Sequence, residues 1–288
     1  MHSRMEKNKG ANTNICVIII LYNSTAEQIK NVEALRYDYT VVAVDNSDEE
    51  IKLDNAHYIS LHGNKGIAAA QNVGIKWAKE HGYRYVLLLD QDSKIDEDFV
   101  ENLHKDFLRI KEIDSKVGFV GPVFVDEVSK QEYKNYTDKD EAFTKTSALI
   151  ASGCLISMEC LDIVGGMDES LFIDLVDFEW CWRAESNGYS GYMTRNVKMF
   201  HSIGKEYHNW YGFVLGISAP SRYYYQYRNT LWLIKRGYVP MIFKIKSVLR
   251  RLLDMVLVPI ASKQGWQVLK NMVKGINDGL FKKNVLTY

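Results

Sequence analysis

The sequence predicts an α/β fold with a mostly parallel central sheet flanked by helices. Three observations carry that reading: short runs apolar on both faces, amphipathic helices between them, and polar residues gathered where each run stops. A strand covered by helices on both sides reads as an unbroken Val/Ile/Leu stretch. Cys16–Leu21 (CVIIIL) is such a run. A helix is expected over Thr25–Leu35, where Ile29, Val32 and Leu35 share one face. Tyr39–Val44 is the second strand and ends in Asp45-Asn46-Ser47, and Ala56–Leu61 is the third. Gly63-Asn64-Lys65-Gly66 leads into a helix from about Ile67 to His81. Tyr85–Leu89 is a fourth strand that stops at Asp90-Gln91-Asp92. In open sheets built this way, ligands bind at the carboxyl ends of the strands.

Beyond Lys116 the pattern loosens. Val117–Val125 is apolar, Asp126–Lys145 is polar and reads as a loop or hairpin, and Ser147–Ser157 is strand-like. Gly165-Gly166-Met167-Asp168 is a turn before an acidic helix, Tyr192–Phe200 is a late strand, and aromatic, basic helices follow Pro220.

The 288 residues hold 36 Lys+Arg against 36 Asp+Glu, and this neutrality excludes a uniformly basic surface that coats nucleic acid. The balance is uneven, however. Residues 235–288 carry eleven Lys/Arg against Asp254 and Asp278, a net +9, which leaves −9 on residues 1–234. Cys16, Cys154, Cys160 and Cys181 lack metal-site spacing and read as buried, reduced thiols, as in a reducing cytoplasm. No stretch of eighteen uncharged apolar residues exists, so no membrane crossing is expected.

Several local patterns carry chemistry, each beside a structural alternative. Asp90 and Asp92, two carboxylates just past a buried strand, can converge on Mg²⁺ or Mn²⁺ and so neutralise a diphosphate, or can form a solvated turn before a helix opened by Asp96 and Asp98. Asp45 can accept a hydrogen bond from a nucleobase or ribose, or can serve the turn with Asn46 and Ser47. The helix opened by Asn64-Lys65-Gly66 has Ala68, Ala70 and Gly74 along it; its N-terminus can face phosphate, or its small residues can pack against the sheet. It matches neither a dinucleotide fingerprint nor a Walker loop. Between Asp168 and Glu179 lie five carboxylates. Of these, Asp177 is a general base or a helix cap, and Glu179 is expected to pair with Arg183 on the surface. His201 follows the late strand as a structural residue or a ligand. Arg222–Arg228 sets two guanidiniums and four tyrosines on two helical turns, suited to phosphate and sugar or to helix packing. Met241–Leu257 aligns Ile242, Ile245, Leu249, Leu252 and Val256 between cations, as in a helix lying in an anionic leaflet, packed on the body, or pairing with another copy.

Taken in order, the strand followed by Tyr22-Asn23, Val44-Asp45-Asn46-Ser47, Asn64-x-Gly66-x-Ala68-x-Ala70-x-Asn72-x-Gly74, the Asp-x-Asp, and Gly-Gly-Met-Asp-Glu…Asp177…Arg183 resemble the inverting family 2 glycosyltransferases of GT-A fold, over roughly residues 15–235. Asp90-Gln91-Asp92-Ser93 and Phe172-Ile-Asp-x-Val-Asp-Phe-Glu-Trp-Cys181 resemble the rhamnosyltransferase branch, which uses dTDP-L-rhamnose to build bacterial surface polysaccharide such as O-antigen. The resemblance implies that Asp177 deprotonates the acceptor hydroxyl. It implies nucleotide-sugar contacts from Tyr22, Asn23, Asp45, Asn46, Asn64, Lys65, Gly66, Asn72, Asp90 and Gln91, and a divalent cation held by Asp90, Asp92 and His201. Gly153, Glu179, Arg222 and Arg228 are then expected near acceptor or phosphate. Many members carry Glu-Asp where this chain has Val176-Asp177, which leaves Asp177 alone with Glu179 as the fallback base.

The implied organisation is a disordered N-terminus (1–14), a catalytic domain (15–235, with a nucleotide half 15–115 and an acceptor half 116–235) and a basic helical region (236–288). It would act in the cytoplasm, or at the inner membrane on a saccharide or lipid-linked saccharide. Two other readings stand beside it: a non-catalytic subunit that binds sugar nucleotides, kept open by Val176, and a haloacid-dehalogenase-type phosphatase. The latter is disfavoured because its Asp-x-Asp belongs on the first strand.

Overall fold

The computed structural model describes residues 14–35, 39–51, 53, 57–126, 141–201, 206–210, 213–284 and 286. Residues 1–13 of the N-terminus expected to be disordered and residues 127–140 of the polar segment lie outside these, whereas the Asn14 carbonyl accepts from Arg84 and Tyr85 N–H at 2.9 and 3.0 Å. Strands β1 (Ile15–Leu21), β2 (Thr40–Asp45), β3 (His57–Ser60) and β4 (Tyr85–Asp90) pair in parallel in the order β3-β2-β1-β4. Helices α1 (Ala26–Leu35), α2 (Ile67–Glu80) and α3 (Phe99–Ile113) alternate with them. The apolar runs therefore fold as expected, and α3 opens just after Asp98.

Four more strands complete an eight-stranded sheet: β5 (Val117–Asp126), β6 (Phe143–Thr146), β7 (Cys154–Ser157) and β8 (Ser190–His201). β5 and β8 are parallel, whereas β7 runs antiparallel between β4 and β5, and β6 antiparallel on the edge beside β8. Ser147–Ser157 is not one strand. Only its last four residues pair, because Gly153 turns the chain at φ +81° and its N–H reaches back to Leu88 O at 2.7 Å. Helix α4 (Met158–Val164) and the hairpin of β9 (Glu206–Trp210) and β10 (Phe213–Ile217) are elements that periodicity does not reveal. A single 3-10 turn (Glu169–Leu171) and α5 (Val176–Ser186) precede β8.

Alternation along β1 divides the core into two layers. Cys16, Ile18 and Ile20 join one apolar cluster with α2, α4 and α5 residues; Ile15, Val17, Ile19 and Leu21 join the other with α1 and α3. Helices α6 (Pro220–Leu233), α7 (Met241–Ala261) and α8 (Gly265–Phe281) form a third cluster around Tyr223, Tyr227, Val258, Val268 and Met272. All four cysteines are free and buried, and burial pushes the Cys16 thiol up to about 12. No described helix is long and apolar enough to cross a membrane.

The small face of α2 is a packing surface. Ala68, Ala70 and Gly74 are buried, and a Cβ at Gly74 would lie 2.4 Å from Ile18 Cγ2. Gly74→Ala should therefore lower unfolding free energy by about 1–3 kcal/mol in a denaturant titration, the usual range for overpacking a core.

Candidate active site

Strand order fixes where a ligand can enter. β2 and β3 lie on one side of β1 and β4 on the other, so the connections diverge and leave a crevice at the carboxyl ends of β1 and β4. The register places Asp45 beside Leu21 and Asp90 beside Ile20, so both acidic residues reach that edge. Tyr22, 47% exposed, opens the crevice, with exposed Asn23 after it. Gln91 bridges the gap: its Oε1 accepts from Tyr22 N–H and Ser24 Oγ, both at 2.7 Å, and its Nε2 donates to Tyr22 O at 3.1 Å. The Gln91 amide thus holds the crevice's wall together, leaving Tyr22 as the free aromatic surface.

Asp90 is half-buried and Asp92 exposed. The turn after Asp90 is built by two serines: Asp90 N–H donates to Ser93 Oγ (3.1 Å) and Ser152 Oγ (3.2 Å), and the hydroxyls meet at 2.7 Å. Among the described residues, no three His, Cys, Asp or Glu side chains gather to hold a metal. Two carboxylates at the strand end, Asp90 half-buried and Asp92 exposed, are the hard oxygen donors that suit Mg²⁺ or Mn²⁺, which take one or two carboxylates and complete their shell with water and phosphate. His201 ends β8, and its side chain lies outside the described residues.

Several residues expected to contact the donor also make contacts within the fold. Asp45 is fully buried; its Oδ1 accepts from Ser47 N–H (3.0 Å), and its Oδ2 from Tyr58 OH (2.7 Å) and Ile51 N–H (3.4 Å). Burial and the Asp45 carboxylate hold the Tyr58 phenol protonated, pushed up to about 12, so it stays a donor. Asn46, 4% exposed, accepts from Lys65 N–H at 2.7 Å and donates to Asn64 Oδ1, which also takes Gly66 N–H at 3.0 Å. Lys65 remains exposed. Gly66 sits at φ +90°, where a Cβ would meet the Phe172 ring and carbonyl at 2.7 Å. Asn72 staples α2 to the next segment, donating to Met167 O (2.9 Å) and accepting from Met167 N–H (2.7 Å). Gly153 is buried against Met199 and Pro122, so its role is the turn rather than acceptor contact.

Asp177 stands in the first turn of α5, beside an apolar pocket lined by Leu88, Leu149, Cys154, Trp180 and Cys181. It does not occupy the cap position, which is Leu175. Burial pushes its carboxyl up to about 6, the N–H groups of Phe178 and Ala151 pull it down, and the charge of Asp90 adds to the rise. The turn Ala151-Ser152 consequently meets the Asp177 carboxylate through the Ala151 N–H and the Asp90 backbone N–H through the Ser152 hydroxyl.

The loop that aims Asp177 is strained. Phe172, Asp174 and Leu175 all have φ near +66°, and Phe172 (ψ −62°) centres a γ-turn closed by Ile173 N–H to Leu171 O at 2.7 Å. Helix α6 holds it. Buried Asn229 donates to the carbonyls of Leu171 (3.0 Å), Ile173 (2.8 Å) and Asp174 (2.9 Å). Arg228, also buried, donates to Ser170 O (2.7 Å) and Leu171 O (2.9 Å), and Arg222 pairs with Asp174 at 2.6 Å. Tyr225 stacks on Phe172 with centroids 4.8 Å apart. Both arginines thus bond to this loop.

The Glu179–Arg183 pair is likewise buried rather than on the surface. Arg183 donates to Glu179 (2.9 Å), Val164 O (2.6 Å) and Gly166 O (2.7 Å). Arg236 spans Glu179 at 3.0 Å and Asp168, and Tyr238 donates to Glu179. A glutamate paired with two guanidiniums anchors α5 and does not serve as the fallback base. Sequence reasoning missed Ser152, Ala151 and Arg236; nothing local separates Arg236 from the cations that follow it.

Two outcomes follow from this geometry. A carboxyl raised from 3.8 to about 6 binds its proton more tightly in the folded state, so stability falls as pH rises from about 4 to 6 and the penalty is complete above. Asp177→Asn should gain about 1–2 kcal/mol at pH 8, after the loss of one hydrogen bond, with the gain gone below pH 4 in urea unfolding at each pH. Asn229→Ala strands three carbonyls and should cost at least about 2 kcal/mol, with faster hydrogen exchange at the Ile173 amide.

Residues 16–162 match the family described as glycosyl transferase family 2. The chain is 32% identical over 292 aligned residues to the dTDP-rhamnosyl transferase RfbF of Shigella flexneri, covering 93% of this chain and 96% of that protein. Its fold is similar to S. aureus TarS 1-349 in complex with UDP-GlcNAc (TM-score 0.57, 13% identity, 92% of this chain and 80% of that one). It is also similar to GalNAc-T7 with UDP, GalNAc and Mn²⁺ (TM-score 0.55, 14% identity, 92% and 55%). With a GT-A sheet, an acidic strand end at its switch point and these relatives, the chain belongs to glycosyl transferase family 2.

Proposed function

We propose that this glycosyltransferase moves L-rhamnose from dTDP-L-rhamnose to a saccharide or lipid-linked saccharide in bacterial surface polysaccharide synthesis, with inversion at the anomeric carbon. The observation that carries the reading is the Ala151-Ser152 turn, whose Ala151 N–H meets the Asp177 carboxylate while its Ser152 hydroxyl accepts from the Asp90 backbone N–H at 3.2 Å. Similarity along nearly its whole length to the S. flexneri dTDP-rhamnosyl transferase supports the donor.

In one in-line displacement, the acceptor hydroxyl oxygen bonds to the anomeric carbon as the bond from that carbon to the diphosphate oxygen breaks. The electron pair leaves with the diphosphate and the hydroxyl proton passes to the Asp177 carboxylate. Asp90 and Asp92 would hold Mg²⁺ or Mn²⁺, which when bound neutralises the charge gathered on the leaving diphosphate. Tyr22 offers the nucleotide a ring face at the crevice mouth, and exposed Lys65 a cation. Burial of the surrounding wall keeps Asp177 basic enough to accept a proton near neutrality. Val176 is 4% exposed and packs in the core, so the missing acid there leaves the base in place and weighs against a non-catalytic subunit. We further propose that residues 15–235 form the transferase unit, working at the cytoplasmic face of the inner membrane.

Release of dTDP from dTDP-L-rhamnose, measured with Mn²⁺ and with chelator, tests the reading. Turnover is expected with dTDP over GDP sugars, rising through pH 6 to a plateau and lost with chelator. Asp177→Asn should lower transfer about a hundredfold or more while dTDP still raises the melting temperature. A GDP preference overturns the donor, and full transfer by Asp177→Asn overturns the base.

A further inference from the structure

Helix α7 is amphipathic the wrong way round for a helix packed on a protein. Ile242, Ile245, Leu249, Leu252, Val256 and Ile260 form one stripe, each between 55% and 68% exposed. The opposite, polar side faces the body. Asp254 is 4% exposed and paired with Arg250 (2.8 Å) and Arg251 (3.4 Å), Arg251 donates to Gln226 at 2.6 Å, and Lys244 Nζ donates to Arg236 O at 2.7 Å. Folding ordinarily buries the apolar face of a surface helix, and contiguous exposed patches of this kind mark a surface that something else covers.

We infer that the outer face of α7, continued by Trp266, is a docking surface for an anionic lipid bilayer, on which the helix lies flat. The helix is 21 residues and about 31 Å long, enough to lie along the headgroup boundary with the stripe running nearly its full length, while its cations prevent it from crossing. Lys246 and Arg250 border the stripe, and exposed Lys263, Lys270 and Lys274 follow on the next turn and helix. Trp266, 77% exposed just past the end of α7, is the kind of ring that sits at headgroup level. Charge decides against a second copy of the chain as occupant. A two-fold contact through α7 would set two segments of net +9 against each other, whereas anionic headgroups neutralise them. The inference does not depend on which sugar is transferred.

Co-sedimentation of the full chain with vesicles tests it, comparing phosphatidylglycerol/phosphatidylcholine mixtures with phosphatidylcholine alone, at low and high salt. The chain should bind the anionic vesicles, bind neutral ones weakly, and lose affinity with salt. The variant Ile245→Ser/Leu249→Ser/Leu252→Ser should bind about tenfold more weakly or worse, with melting temperature and dTDP binding unchanged, since these side chains contact solvent. Three results overturn the inference: no binding of the unaltered chain to anionic vesicles, equal binding by the triple variant, or a light-scattering dimer that the triple variant dissolves.

Discussion

Three non-glycine residues within four positions, Phe172, Asp174 and Leu175, hold positive φ immediately before the helix that carries Asp177. Such conformations cost of order 1–3 kcal/mol each and persist only where surrounding contacts over-determine them. Here the contacts come from α6 on one side and α2 on the other. Asn229 and Arg228 take the carbonyls from Ser170 to Asp174, Ile67 N–H takes Phe172 O at 2.8 Å, and Gly66 leaves room for the Phe172 ring. The direction of Asp177 is therefore set by two helices distant in sequence.

The chemistry depends on a second economy of parts. The parallel strands bring Asp90 to the switch point, but β7 enters antiparallel beside β4, and its leading turn places Ala151 and Ser152 between two acids. A carboxylate held in a partly apolar wall keeps its proton longer, and a neighbouring negative charge strengthens the effect. A cation and diphosphate at Asp90, as proposed, would act on this same electrostatic balance, because the charge of Asp90 already bears on Asp177.

Much of this was legible. Cys16–Leu21, Tyr39–Val44 and Tyr85–Leu89 are apolar enough to specify buried strands, and parallel pairing then fixes which ends carry Asp45 and Asp90. The division of labour among polar residues was not. Asp45 looks the same in sequence whether it faces a base or accepts from Ser47, Ile51 and Tyr58, because turn-forming and ligand-binding groups share residue types. Glu179 and Arg183 have the spacing of a surface pair, yet Trp180, Cys181 and Trp182 between them are buried, and the neutralising partner Arg236 arrives from another element. Long-range partners of that kind leave no periodic signal.

The split charge of the chain acquires a physical division as well. Within the basic segment, some cations are spent inward: Arg236 on Asp168 and Glu179, Lys244 on Arg236 O, Arg251 on Gln226 and Asp254. Others, Lys246, Lys263, Lys270 and Lys274 among them, are exposed. The inward group ties α7 to α5, the helix that carries Asp177, a link reinforced by Phe243 against Trp182 of α5 at 4.4 Å. A partner on the outer stripe leaves those inward bonds untouched, so α7 can carry an external contact without disturbing the alignment of Asp177. One helix can serve as both anchor and brace because its two faces are chemically opposite.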